Sequence, residues 1–370
     1  MTLDPAAGPA GNGHRPAEPT VPGPLEPAPL GPGPVPEGPP PPPLTGPPGS
    51  GLFTLEGRPA PGLYFAAWGL SVLGGALIFV ALQTQAEVAG TVLLLAGLLA
   101  LDLGFATAAG YQVLARRSRP EHRYRGPSPF LLLGIYAITA SLVGGLLGRL
   151  LGPSISETSA FGLFSVVLLN VAAIVTVVIF VRRTGSLSWH DMGWPARGQL
   201  RLRRAVTDVG YAAGITIPAT MLAAFAAALI AMLLQLDPTS RPLNRSSTFD
   251  EPSLIIAAVI LAPIGEEIFF RGFALTAWHR DLGRSRALLR STVVFAAVHI
   301  VNVLGVEGDP SLGARWALLQ FLVILPVGYI LGWLFQQRGI IASIAGHAAY
   351  NAIIVTIAIL AQRAVPLSPA

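Results

Sequence analysis

The side chains best suited to chemistry in this sequence lie in three short motifs within its last third. Each motif interrupts an apolar run, where an ionisable group is costly unless it is paired or hydrated. That cost makes each such group a functional candidate. The candidates are Glu266, Glu267, Arg271, His299, Asn302, His347 and Asn351.

The residue types in these motifs suit the hydrolysis of a carbonyl compound. One carboxylate and one histidine can hold and deprotonate a water molecule. A second histidine and an asparagine can donate hydrogen bonds to the oxyanion that forms on the attacked carbonyl. Glu266, His299, His347 and Asn351 supply these groups from three separate apolar segments, so the set predicts a hydrolytic site.

Helical spacing separates the two neighbouring glutamates. Glu267 and Arg271 are four residues apart, so they are neighbours on one helix face and can form an ion pair. Glu266 is rotated by about 100° from Glu267, which leaves it without a local partner. His347 and Asn351 also stand four residues apart, which places them on one face of their helix.

Structural roles are the alternative for several of these residues. A single histidine or asparagine inside a membrane helix also serves to hold helices together, and Glu267 with Arg271 can be a purely structural pair. For Asp102, Asn170 and Arg149, which interrupt apolar runs nearer the start of the chain, we predict structural or interfacial roles. The presence of complementary groups on three spans favours catalysis for the set as a whole.

The composition places these motifs in a membrane. Of the 370 residues 52% are hydrophobic and only 12% are charged, whereas soluble domains carry about a quarter charged residues. The mean hydropathy is +0.61. The sequence has no basic cluster on a soluble domain, so a nucleic-acid partner is disfavoured. Because the chain has no cysteine, cysteine nucleophiles and thiolate metal sites are excluded. We predict a polytopic membrane protein.

Nine apolar runs approach the roughly 20 residues that a helix needs to cross the hydrocarbon core. The seventh run is short and polar, so the prediction is an all-α polytopic transmembrane bundle of eight or nine spans. The runs are 63–84, 91–113, 130–151, 159–181, 206–236, 253–275, 288–305, 315–335 and 341–361.

The first 60 residues differ from the remainder. Eighteen of the 34 prolines lie in the first 50 residues, interleaved with glycine and alanine. Such a segment cannot bury enough apolar surface to fold, so we predict a disordered Pro/Gly-rich arm over residues 1–60. A partner that recognises proline-rich sequences is possible for it.

Arginine placement predicts the orientation of the bundle. All 24 basic residues are arginine, a bias typical of a GC-rich genome, and we expect a bacterial cytoplasmic membrane. The arginines cluster after the second, fourth and sixth spans, and basic residues in short loops are retained in the cytoplasm. We therefore expect the N-terminal arm and the opening of the active site on the cytoplasmic side.

The ordered motifs resemble those of the CPBP family of intramembrane proteases. This family includes the type II CAAX prenyl endopeptidases and the Abi proteins linked to bacteriocin self-immunity. The matching motifs are Glu266-Glu267-x-x-x-Arg271, Phe295-x-x-x-His299 and His347-x-x-x-Asn351, with Leu187 to Gly193 resembling a preceding loop and Gly328 to Gly332 an intervening segment. The resemblance implies a protease domain over residues 185–363, preceded by four further spans over residues 61–184.

The resemblance also implies roles for the site residues. Glu266 and His299 would activate the attacking water, and His347 and Asn351 would stabilise the oxyanion. The expected supporting residues are Glu267, Arg271 and Asn302.

A zinc-dependent mechanism is the alternative. Glu266, His299 and His347 could form an open three-ligand zinc site. The sequence lacks an HExxH helix, which would place two ligands and the base on one face. We therefore favour a metal-independent mechanism without a cofactor.

The predicted function is hydrolysis of a peptide bond, within or beside the lipid bilayer, in a membrane-anchored peptide or protein substrate. One rival is a non-catalytic scaffold in bacteriocin or toxin self-immunity. The other is a proton- or ion-coupled transporter, because membrane carboxylates and histidines also form proton relays. The transporter is disfavoured because no internal repeat is visible in the sequence.

Overall fold

The computed structural model describes residues 58–118, 123–196, 198, 202–236, 249–303 and 310–364. In these ranges the chain forms helices joined by short connections, without β-strands, which confirms the all-α prediction. The predicted Pro/Gly-rich arm lies outside the described residues as far as residue 57.

Twelve α-helices are found in the described ranges, most of them matching a predicted span within a few residues. In chain order they are α1 (Pro61–Gln83), α2 (Glu87–Arg117), α3 (Pro129–Leu151), α4 (Pro153–Ser156), α5 (Ser159–Val177), α6 (Leu202–Leu233), α7 (Glu251–Ile255), α8 (Ala262–Glu267), α9 (Thr276–Leu282), α10 (Arg284–Val298), α11 (Pro310–Arg338) and α12 (Ile340–Ala364).

Turns of π-helix join several of these helices into longer continuous helical segments. Val178–Arg182 extends α5, while Ile256–Leu261 and Ile268–Leu275 connect α7, α8 and α9 into the single span Glu251–Leu282. Eight helical segments of the described chain are then long and apolar enough to cross a membrane. This is the lower of the two numbers of spans that the sequence predicts.

The seventh predicted span, 288–305, is the segment that differs. It is the 15-residue α10 followed by the 3₁₀ turn His299–Val303. At 1.5 Å per residue α10 is about 22 Å long, shorter than the roughly 30 Å hydrocarbon core. Its start pairs with the end of α11, where Arg284 donates to the Gln336 amide oxygen at 3.2 Å. It therefore runs antiparallel to α11 inside the bundle.

The arginine-rich segments after the second, fourth and sixth predicted spans meet at one end of the bundle, here called the arginine-rich end. The backbone N–H of Tyr124 donates to Asp281 at 3.0 Å. Arg280 pairs with Asp191 at 2.8 Å. These contacts join all three segments, which supports the prediction that they share one side of the membrane.

A loop over residues 186–194, here called the docking loop, closes the arginine-rich end beneath the site. Met192 is fully buried and packs close to Gly272, which follows the first motif. The carbonyl of Gly193 accepts a hydrogen bond from the backbone N–H of Ile340 at 3.3 Å, at the start of α12. The loop therefore links the helix of the first motif to the helix of the third.

Candidate active site

The three motifs meet around one carboxylate oxygen. Glu266 Oε2 lies 3.5 Å from His299 Nε2 and 3.9 Å from His347 Nε2. The Glu266 side chain is 30% exposed and that of His299 is 15% exposed, whereas that of His347 is only 4% exposed. The structure thus brings together three of the four residues predicted to be catalytic. Although the Glu266 side chain is partly exposed, its Oε2 atom is buried without a hydrogen-bond partner among the described residues.

Hydrogen bonds at the opposite side of each imidazole indicate which nitrogen carries hydrogen. His299 Nδ1 lies 2.8 Å from the Phe295 carbonyl oxygen, and His347 Nδ1 lies 2.8 Å from Glu267 Oε1. Because both of these oxygens accept hydrogen bonds, we assign a hydrogen to each Nδ1. In the neutral imidazoles both Nε2 atoms then carry lone pairs facing Glu266. Such a convergence of acceptors suits a water molecule, a shared proton or a cation.

Glu267 holds His347 through a fully buried network. Its Oε1 accepts hydrogen bonds from Arg271 Nη1 at 2.7 Å and from His347 Nδ1, and its Oε2 accepts one from the Ser343 hydroxyl. Glu267, Arg271 and Ser343 are 0% exposed. A buried ion pair is stable only when further hydrogen bonds satisfy its atoms. The predicted Glu267–Arg271 pair is thus present and also orients the third motif.

The guanidinium of Arg271 has further contacts on the second motif and on α11. It lies 4.0 Å from the ring centroid of Phe295, which is the arrangement of a cation–π contact. Its Nη2 donates to the Gly328 carbonyl at 3.2 Å. A Cβ atom at Gly328 would stand 3.2 Å from the Phe295 ring, so the absence of a side chain there keeps this approach open.

Asn351 donates a hydrogen bond to the Ala258 carbonyl, which has no backbone partner in the π-helical turn before α8. The N–H of Ala262 bonds to the Ala257 carbonyl, five residues back. In that register the Ala258 carbonyl would need the N–H of residue 263, which is proline and has none. Asn351 Nδ2 donates to this carbonyl at 2.7 Å. One of its two Nδ2 hydrogens therefore binds α12 to the π-helical turn Ile256–Leu261.

A residue from outside the motifs packs against the first one. Asn170 on α5 donates from Nδ2 to the Val166 carbonyl at 2.8 Å, while its Oδ1 is buried without a hydrogen-bond partner among the described residues. The Asn170 amide oxygen occupies the space that a Cβ at Gly265 would need. The structural role predicted for Asn170 thus acts on the backbone directly before Glu266.

Ser343 is the buried contact that sequence reasoning misses. Serine is common in membrane helices, so its residue type carries no signal. The position of Ser343 does indicate a role, because it stands four residues before His347 and so lies on the same face of α12. The side chain of Asn302, predicted to support the site, lies outside the described part of the structure.

The donor types around Glu266 are those that zinc accepts, namely one carboxylate and two imidazole Nε2 atoms. Each imidazole also donates its other N–H to an oxygen, as metal-bound histidines do. Within the described residues, however, no three such side chains stand close enough together to hold a metal ion as arranged. The chemistry of the donor set fits zinc, while the present arrangement of the described side chains does not form a metal-binding group.

The fold and the site define a class, a polytopic helical membrane protein with a buried glutamate and histidine centre. Residues 248–353 match the family model described as type II CAAX prenyl endopeptidase Rce1-like. This range contains all three motifs, so the match supports the resemblance to the family of intramembrane proteases that the motifs carry. Searches of curated proteins and of solved structures found no match.

Proposed function

We propose that this protein is an intramembrane endopeptidase that hydrolyses a peptide bond in a membrane-anchored peptide or protein. The observation that carries the proposal is the convergence of Glu266 Oε2 with the Nε2 atoms of His299 and His347. A water molecule bound among these three acceptors would donate its two hydrogens to two of them. The match to a prenyl endopeptidase family supports the same chemistry.

The proposed reaction begins with a water molecule held by Glu266 and His299. Glu266 takes one proton as the water oxygen attacks the carbonyl carbon, and the carbonyl π electrons move onto oxygen to form an oxyanion. The C–N bond then breaks, and the departing nitrogen receives the proton from Glu266. The products are a carboxylic acid and an amine. A positioned general base accelerates such a step by about 10²- to 10⁴-fold.

The oxyanion needs hydrogen-bond donors, which we assign to His347 and Asn351. His347 can donate from Nε2 when its imidazole carries both hydrogens, while its Nδ1 remains bonded to Glu267. Asn351 uses one Nδ2 hydrogen at Ala258 and retains the second. Each donor aimed at a developing oxyanion contributes about 10²- to 10³-fold in rate.

Zinc-dependent hydrolysis is the second candidate, favoured by the lone pairs that converge around Glu266. Glu266, His299 and His347 would hold the ion, which would supply Lewis-acid activation of water. We favour the metal-independent mechanism because the chain lacks an HExxH helix. Metal analysis of the purified, active protein decides between the two: stoichiometric zinc that is lost together with activity on chelation would establish the zinc enzyme.

The test of the proposed function compares new protein termini in membranes from cells that carry the wild-type protein or the Glu266→Gln variant at matched expression. Glu157→Gln, a change at an exposed loop glutamate, is the control. We expect termini that are present with wild type and with Glu157→Gln but absent with Glu266→Gln. If no terminus changes and Glu266→Gln retains full cellular function, the protein is a scaffold rather than a protease.

A further inference from the structure

We propose that Tyr136, on α3, is a further catalytic residue of this site that donates its phenolic hydrogen to the oxyanion formed on the substrate. This inference rests on the proposed function and deepens it. Tyr136 lies outside the three motifs and outside residues 248–353, the range of the family match.

Packing places the Tyr136 ring beside the first motif. The ring stands edge-on to Phe269, with 4.8 Å between centroids and 67° between planes, and the residue is only 7% exposed. Phe269 follows Glu266 by three residues, which on a helix is the same side. The Tyr136 ring therefore packs against the helical turn that directly follows the proposed base.

The Tyr136 hydroxyl has a hydrogen that no described residue accepts. It forms no hydrogen bond with another described residue, and it is absent from the fully buried unpaired atoms of that part of the chain. Its oxygen therefore keeps some accessible surface. Tyr124 provides the contrast, because its hydroxyl is fully buried and unpaired at the arginine-rich end.

The chemistry of the site calls for such a donor. His347 donates from Nε2 only when doubly protonated, and Asn351 is held by its bond to Ala258. A phenol is a neutral donor that does not depend on either condition. Before attack the hydroxyl can donate to the Glu266 carboxylate. Once Glu266 has taken the proton from water, the newly formed oxyanion becomes the stronger acceptor.

The assignment also gives the preceding spans a role in catalysis. α3 supplies Tyr136, and α5 supplies Asn170 against Gly265. Two of the four spans before residue 185, α3 and α5, would thus complete one wall of the site.

The experiment uses the full-length protein and the substrate identified by its Glu266-dependent new terminus. It compares wild type with Tyr136→Phe, which keeps the ring against Phe269, and with Tyr124→Phe as a matched control. We expect Tyr136→Phe to lower kcat by about 10²-fold with KM changed less than about twofold, and Tyr124→Phe to leave both near the wild-type values. Unchanged kcat in Tyr136→Phe, with activity lost in Glu266→Gln, would overturn this proposal while leaving the proposed function intact.

A second variant tests the proposal in case the Tyr136→Phe protein does not fold. Placing 3-fluorotyrosine at position 136 keeps the ring and the hydroxyl but makes the phenol a stronger acid and hence a stronger donor. We expect a change in kcat and in its pH profile with unchanged thermal stability. Identical kinetics to wild type would overturn the proposal. Absence of any Glu266-dependent terminus would instead overturn the proposed function itself.

Discussion

At the scale of single residues, the two adjacent glutamates of the first motif have different partners. Glu267 is fully buried and holds Arg271, His347 and Ser343. Glu266 is partly exposed and faces the two Nε2 atoms. Successive helical residues are rotated by about 100°, so the two adjacent glutamates face different partners. Glu267 orients His347, whereas Glu266 is the proposed base.

The first prediction concerns the buried ion pair. Glu267→Gln leaves Arg271 as a buried charge without its partner, which costs about 3–5 kcal/mol. Glu251→Gln is the matched control, because it breaks an exposed glutamate–arginine pair with Arg363, and such pairs contribute at most about 1 kcal/mol. Unfolding in detergent measures both. Equal losses of stability in the two variants would contradict the role assigned to Glu267.

Residue spacing predicts part of this arrangement and misses the remainder. The four-residue spacings predict the Glu267–Arg271 pair and the shared face of His347 and Asn351. The contact of Asn351 with Ala258 could not be predicted, because it depends on the π-helical register before Pro263. Contacts between residues on different helices, such as the Asn170 side chain against the Gly265 backbone, leave no local pattern in the sequence.

At the scale of elements, the site depends on irregular turns within the span Glu251–Leu282. The short α8 carries both glutamates between two π-helical turns, and such turns are frequent at functional sites. The alanine-rich, apolar sequence of this segment predicts a helix but not its register. Pro263 explains one interruption, because it removes a backbone donor.

A double-mutant cycle tests the account of Asn351. In the wild-type background Asn351→Ala leaves the Ala258 carbonyl unpaired, which costs about 1–3 kcal/mol. Pro263→Ala restores a backbone N–H at the position that this carbonyl would use. We therefore expect Asn351→Ala to cost less in the Pro263→Ala background, as measured by unfolding in detergent. The same cost in both backgrounds would show that Asn351 does not replace the missing donor.

The docking loop gives a prediction for pH. Partial burial raises the pKa of Asp191, but hydrogen bonds from the Ser188 backbone and hydroxyl, together with Arg280, more than offset this and hold the pKa below its ordinary value. The group is partly exposed, so its contribution to stability is reduced by solvent screening. A lowered folded-state pKa stabilises the protein above the unfolded pKa of about 4, and this stabilisation is lost as pH falls through the folded value.

Thermal unfolding of wild type and Asp191→Asn between pH 7 and pH 3 measures this contribution. The variant should be less stable by a constant amount above about pH 4, and the difference should close at lower pH. A difference that stays constant down to pH 3 would mean that the carboxylate charge of Asp191 does not matter.

At the scale of the whole molecule, the bundle places all the arginine-rich segments at one end and the site between the helices. The alternation of arginine-rich and arginine-poor loops predicts this common end before any contact is known. The eight long spans are predictable from apolar length alone, whereas the ninth candidate run, 288–305, proves to be the short α10 followed by a 3₁₀ turn. The predicted domain boundary near residue 185 remains a prediction.

Orientation can be measured directly, because the chain contains no cysteine. Ser285→Cys marks the arginine-rich end, and Glu157→Cys marks the loop at the opposite end of α3 and α5. In intact cells an impermeant thiol reagent should label the Glu157→Cys variant and not the Ser285→Cys variant, because arginine-rich loops stay in the cytoplasm. The reverse labelling would place the arginine-rich end outside.

The central claim is that water activated at Glu266 cleaves a peptide bond. The most direct measurement incubates the purified, reconstituted protein in H₂¹⁸O with membrane proteins extracted from cells that lack it, and then analyses the new carboxyl termini by mass spectrometry. We predict ¹⁸O in new carboxyl termini with the wild-type protein and a loss of about 10²- to 10⁴-fold in their rate of formation with Glu266→Gln. Equal formation of labelled termini by both proteins, or none with either, would contradict the claim.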